Sequence, residues 1–183
     1  MRLVYRLIFL GILKWKIVGA PPKDRRKFLI VVAPHSSNWD FMIGLATRSI
    51  LGFRSNFLGK SELFRAPFGW IFRKLGGYPV ERKRSEHLVD QIIGICKRED
   101  RFVVAIAPEG TRGAVDKWKT GFYHIALGAG IPYVLVGLDY TKRTVIWSEP
   151  IFPGGNLEED AKVIDRFYDG LQGKHRKAAK VLG

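Results

Sequence analysis

Cys96 is the only cysteine in 183 residues, so an internal disulfide cannot form and the disulfide-stapled scaffolds are excluded. Acid is scarce: 17 Asp and Glu stand against 31 Lys and Arg, leaving a formal charge of +14. A folded domain with that excess expects something anionic nearby, either nucleic acid, a phosphorylated small molecule or a lipid surface. There are only four histidines, and none pairs with another at metal-ligand spacing, so no metal centre is expected. Long apolar runs are missing too. A spanning helix needs about 20 mostly apolar residues. The longest uncharged N-terminal run is 7–13, and the stretch 120–138 is broken by Gly128, Gly130 and Pro132. No internal repeat or low-complexity linker appears.

What is present is ample core material. With 46% hydrophobic and 13% aromatic residues, the chain is neither disordered nor fibrous, and its length suits one domain. The N-terminus is rich in Leu, Ile, Phe and Trp, interrupted by Arg6, Lys14 and Lys16. At about 100° per residue, Val4, Ile8, Ile12 and Trp15 share one charge-free arc, with Arg2, Arg6, Lys14 and Lys16 on the other side. This pattern predicts a helix over 1–20 lying in a membrane interface, its basic groups toward lipid phosphates. Docking on the domain's own core and a signal peptide are the competing readings, the latter disfavoured by Lys14 and Lys16 in the cleavage region.

Beyond Pro21-Pro22 the rest, 21–183, reads as one domain. Apolar, β-branched runs at 28–33, 102–107 and 133–138 predict strands buried on both faces, with a later, more exposed strand at 144–147. Helical stretches fall at 40–51, 68–75, 86–97, 122–129 and 157–171, the last opened by Asn156 and Glu159 at capping-box spacing. Strands alternating with helices predict a single α/β sandwich with its active groups at strand ends.

The strand at 28–33 runs into Pro34-His35-Ser36-Ser37-Asn38-Trp39-Asp40. If both were helical, His35 and Asp40 would stand roughly 140° apart, so they converge only with His35 on the loop and Asp40 in the helix's first turn. A histidine held by a carboxylate is the usual general base for a hydroxyl. Equally, Ser37 and Asp40 match a capping box, which accounts for Asp40 without chemistry. Ser36 suggests an acyl-serine, but a helix-capping role suits it better.

A second turn, Ala107-Pro108-Glu109-Gly110-Thr111-Arg112, also follows a buried strand. Its glycine permits a tight turn, Thr111 and the free amides can hold oxygen anions, and Arg112 can fork onto a phosphate with Glu109 orienting it. A polar turn with a local ion pair is the plainer account. A third segment, Gly76-Gly77-Tyr78-Pro79-Val80-Glu81-Arg82, reads as a turn and short strand ending in the basic cluster Arg82, Lys83 and Arg84.

In order, His-x4-Asp, Gly-x5-Arg, Pro-Glu-Gly-Thr-Arg and an apolar strand after Pro132 resemble the glycerophospholipid acyltransferase family over about 28–138. Lys60-Ser61-Glu62-Leu63 and Trp118-Lys119-Thr120-Gly121 are similar to residues that relatives carry in those intervals. The resemblance implies His35 as general base, Asp40 as its partner, and Glu109, Gly110, Thr111, Arg112 and Arg82 binding the acceptor, the two arginines on its phosphate. It implies acyl transfer from acyl-CoA or an acyl carrier protein to the sn-2 hydroxyl of 1-acyl-sn-glycerol-3-phosphate, a step of phospholipid biosynthesis. The donor is already activated, so neither metal nor cofactor is implied. The expected partners are the lysophospholipid, the thioester donor and an anionic membrane surface, with the chain peripheral on the cytoplasmic face of the cell membrane and no nucleic acid bound. Pro34 where Asn is usual, Ala107 where Phe is usual, Tyr78-Pro79, and Leu135 for a second proline depart from the family's pattern. These altered flanks leave another lysophospholipid or a lyso-aminolipid open as acceptor. Outside the family reading stands a non-catalytic basic protein binding membrane or nucleic acid. The patch 23–27 and the tail cations Lys174, Arg176, Lys177 and Lys180 are left to anionic headgroups.

Overall fold

The computed structural model describes residues 2–80 and 85–183. Among these, seven strands form one sheet: β1 (Lys16–Val18), β2 (Lys27–Ala33), β3 (Asn56–Lys60), β4 (Gly77–Val80), β5 (Phe102–Ile106), β6 (Tyr133–Asp139) and β7 (Thr144–Trp147), in the order β1-β7-β6-β2-β5-β3-β4. Every neighbouring pair is parallel except β6 and β7. The helices are α1 (Arg2–Arg6), which widens into a π-helical turn at Leu7–Ile12, then α2 (Trp39–Leu51), α3 (Gly69–Lys74), α4 (Ser85–Arg98), α5 (Gly121–Ala129) and α6 (Leu157–Tyr168). Among the described residues no helix is long and apolar enough to cross a membrane.

Period-two alternation along the strands supplies two cores. Leu29, Val31, Val104, Tyr133 and Leu135 face α4, α5 and α6, whose Ile92, Phe122 and Ile164 close over them. Phe28, Ile30, Val103, Val134 and Val136 face the other way, under Ile43, Ala46 and Ile50 of α2 and Phe9 of the N-terminal turn. The α/β sandwich expected from the alternation of elements is the fold observed. Helix α6 begins as its capping residues suggest, the Asn156 side chain accepting from the amides of Glu158 and Glu159. It ends at Tyr168 rather than 171, and Gly170 (φ +74°) turns the chain.

Three expectations need correction. The N-terminal helix stops at Ile12, not near residue 20. Lys14 takes a positive φ of 55°, and Ile17 and Val18 pair with Val145 and Ile146 as an edge strand, the state their β-branched side chains favour. Trp15 therefore leaves the exposed arc: it is buried, stacked on Phe9 at 5.6 Å. Arg2, although exposed, donates through Nε to the Ile50 carbonyl at the end of α2. Second, β7 is buried at Thr144, Val145 and Trp147, because β1 covers the edge it would otherwise present. Third, β1 and β3 went unrecognised. Both are short and lie near the sheet's margins, without the continuous apolar run of a central strand.

Candidate active site

Parallel pairing sets the site. Since β5 and β6 flank β2 on either side and run with it, the segments leaving their C-terminal ends emerge side by side. From β2 comes the loop 34–38, from β5 the turn 107–112, from β6 Tyr140.

Asp40 lies in the first turn of α2 and is buried. Its Oδ2 accepts the amides of Ser36 and Ser37, each at 2.8 Å, and stands 3.1 Å from His35 Nδ1. Its Oδ1 accepts the Tyr140 hydroxyl at 2.5 Å. Asp40 thus holds the loop amides and contacts the His35 imidazole through the same oxygen, Oδ2. Burial by itself would raise its pKa; the hydrogen bonds from His35, Tyr140 and the Ser37 amide outweigh that and hold the carboxyl below its ordinary range. Burial and the neighbouring carboxylate push the Tyr140 hydroxyl upward, so it stays a donor. Nδ1 of half-buried His35 faces Asp40, which turns Nε2 to the opposite side of the ring.

Of the two serines, Ser37 does the capping, its Oγ accepting from the Trp39 amide at 3.2 Å. Ser36 does not cap; its Oγ accepts the amide of His175, from the tail, at 3.2 Å.

Glu109 corrects a sequence expectation. Its side chain is fully buried and pairs with Arg176, not Arg112: Oε1 lies 2.9 Å from Nη1, and Oε2 lies 3.1 Å from Nη2. Glu109 Oε2 also accepts the His35 amide at 2.7 Å. Gly110 makes the turn possible with φ +69°, which a side chain would strain. Thr111 and Arg112 are exposed, and Thr111 Oγ1 accepts the Gly113 amide. Arg112 borders a hollow of about 410 Å³ with Ser36, Ser37, Trp39, Lys174 and His175, where Lys174 Nζ stands 5.3 Å from the Trp39 ring. Arg82 lies outside the described residues.

A larger cavity, about 1170 Å³, opens from His35 and Asp40 between the sheet and its helices. Strands β3 and β5 pair through Asn56 with Val104 and Phe57 with Ala105. Phe57, Leu58 and Ile106 line the cavity, joined by Val89 and Phe122 from α4 and α5.

Tyr140 and Arg176 were missed. Tyr140 could have been suspected as the first residue past a buried strand, where active groups collect. Arg176 carried no signal, being one cation in a basic run, 67 residues from its partner.

A family model described as Acyltransferase matches residues 16–139, so both lie past the matched stretch. The 1-acyl-sn-glycerol-3-phosphate acyltransferase of Salmonella typhimurium is 25% identical over 138 residues, covering 71% of this chain and 55% of that protein. The enzyme of the same name from Escherichia coli is 24% identical over 139 residues, with the same coverage. The chain thus spans about half the length of the curated relatives it matches. The crystal structure of the 1-acyl-sn-glycerophosphate (LPA) acyltransferase PlsC from Thermotoga maritima superposes with a TM-score of 0.61 at 22% identity, covering 91% of this chain and 74% of that one. At that identity the likeness is one of fold.

Proposed function

The chain belongs to the acyltransferase family, and we propose that it moves a fatty acyl group from a thioester, acyl-CoA or acyl carrier protein, to the sn-2 hydroxyl of 1-acyl-sn-glycerol-3-phosphate. The observation that carries this reading is the 3.1 Å His35–Asp40 pair at the mouth of a large, mainly apolar cavity. An alcohol is a poor nucleophile near neutral pH. His35 Nε2 takes the hydroxyl proton as the oxygen attacks the thioester carbonyl, while Asp40 fixes the tautomer and stabilises the imidazolium. The tetrahedral intermediate then expels the thiolate, which recovers the proton from His35. The product is phosphatidic acid, as phospholipid synthesis requires, and the thioester supplies the activation, so no metal or cofactor takes part. The acyl chain lies along Phe57, Leu58 and Ile106 in the cavity. The acceptor's phosphate sits by Gly110, Thr111 and Arg112, with Arg82 as its second cation; the basic hollow beside Arg112 supports this placement.

The same reading puts the chain on a membrane surface, peripherally, at the cytoplasmic face. Leu3, Leu7 and Ile12 expose 60% or more of their surface on the N-terminal helix, while Phe9 anchors the helix to the domain. An apolar face of that kind on a protein of charge +14 suits anionic headgroups. Leu7→Glu with Ile12→Glu should abolish sedimentation with anionic vesicles and leave the melting temperature unchanged; undiminished sedimentation would remove this part.

The main test measures thiol release from acyl-CoA against a panel of lysophospholipid and lyso-aminolipid acceptors. His35→Ala should reduce turnover about 10²–10⁴-fold. Unchanged turnover in that variant would overturn the mechanism, and preference for another acceptor would replace the substrate.

A further inference from the structure

We propose that Arg176 is a positioning residue for His35: the C-terminal segment locks the base loop onto the β5 turn through one part-buried guanidinium. The inference rests on the reading of His35 as general base.

The chain past α6 crosses back over the site and is stitched to it along its length. The Tyr140 amide donates to the Gln172 carbonyl at 2.7 Å, the His175 amide to Ser36 Oγ, and the Trp118 amide to the Lys180 carbonyl at 3.2 Å. Gly173 lies so close to the base loop that a Cβ there would meet Ser36 Oγ at 2.9 Å and Pro34 Cβ at 3.0 Å.

Arg176 stands at the centre of this crossing, with 17% of its side chain exposed. Its fork holds both oxygens of Glu109, Nη2 donates to the His35 carbonyl at 3.3 Å, and Nε reaches the Arg112 carbonyl at 3.5 Å. Glu109 in turn accepts the His35 amide. Both main-chain polar groups of His35 are therefore held by one ion pair, whose arginine comes from the tail. These bonds go to the main chain of His35 and not to its imidazole. They set where the His35 backbone stands, and with it the direction of Nε2.

Charge by itself does not account for the arrangement. Neutralising buried Glu109 needs one cation, whereas holding two carboxylate oxygens and two carbonyls at once needs a planar fork, which lysine lacks. Arg176→Lys keeps the charge and loses the bridge.

The test compares the full-length protein with its Arg176→Lys variant by amide hydrogen exchange and by steady-state turnover. Peptides covering residues 34–40 should exchange about tenfold faster in the variant, with the β6 peptides unchanged. The kcat should fall by about tenfold or more, with KM within about twofold, since a shift of the base on the ångström scale slows chemistry without removing binding groups. Exchange that is unchanged at 34–40, or faster throughout the sheet, overturns the proposal, as does wild-type kcat with the loop loosened. If Arg176→Lys does not fold, Gly173→Ala is read by the same criteria. The added Cβ would meet the Arg176 carbonyl at 2.6 Å and Ser36 Oγ at 2.9 Å, and so displaces the tail around Arg176 while keeping every charge. The exchange result stands without any substrate. A wild-type protein inert toward every acceptor would therefore fail the functional reading, and the position of the His35 loop would still be measured.

Discussion

Two buried carboxylates serve one histidine by different routes. Asp40 touches the His35 imidazole, and all but one of its partners lie within five residues, in the loop it caps. Glu109 touches the main chain of His35, 74 residues away, and its charge is answered by Arg176 a further 67 residues on. The first arrangement is a local unit in which one side chain both holds the loop amides and contacts the imidazole. The second is a tertiary joint between β2, β5 and the tail. Loss of Asp40 should therefore appear chiefly in the chemistry, and loss of Glu109 in stability together with a smaller fall in kcat through the placing of His35.

The sharpest break between them is Asp40→Asn, expected to lower kcat about 10²–10⁴-fold with little change in KM, because the amide orients the imidazole wrongly and cannot offset its charge. Stopped assays of thiol release at saturating acceptor would measure it, and a kcat within twofold of wild type would erase the contrast. Next comes Glu109→Gln, which leaves Arg176 without its counter-charge. Urea unfolding should show a loss of about 3 kcal/mol, the low end for breaking a buried pair, because Arg176 keeps some contact with water. If Asp40→Asn proved the more destabilising of the two, the assignment of roles would be reversed.

Tyr140→Phe sits between the two units. It removes one hydrogen bond to the Asp40 carboxylate and nothing from Glu109. The expected loss is about 1.5 kcal/mol, with a kcat reduction smaller than that of Asp40→Asn. The smallest effect concerns acid. Folding holds Asp40 below its ordinary value of 3.8, so its stabilisation is complete above that pH and is lost as pH falls through the lower folded value. Between pH 5 and 2 the wild type should lose stability more steeply than Asp40→Asn; parallel curves would refute the linkage.

The contrast also explains what could be read from sequence. His35 and Asp40 were legible because a strand, a loop and a capped helix start follow one another within 27–40, and local geometry allowed only one way for the two to meet. Glu109 was found as a polar residue at a strand end, but its partner was misassigned to Arg112, three residues away. Proximity along the chain favoured that pairing, and the exposed Arg112 shows that it did not decide. The N-terminal segment repeats the point: its apolar arc was visible, and Val4, Ile8 and Ile12 are exposed as the arc implied. Trp15 instead joined the core through a strand pairing with residues near 145, which no local pattern announces.

By itself, then, the sequence determined the alternation of strands and helices, the central buried strands, the first motif's loop and the excess of positive charge. These rest on composition, on side-chain periods of 2 and 3.6, and on capping, all expressed within a turn or two of chain. Only the tertiary structure decided the strand order, the short strands near the sheet's margins, the hydroxyl that Tyr140 lends to Asp40 and the guanidinium that Arg176 lends to Glu109. Those contacts join residues tens to a hundred positions apart, and they exist because parallel pairing brings the ends of β5, β2 and β6 together beneath the returning tail.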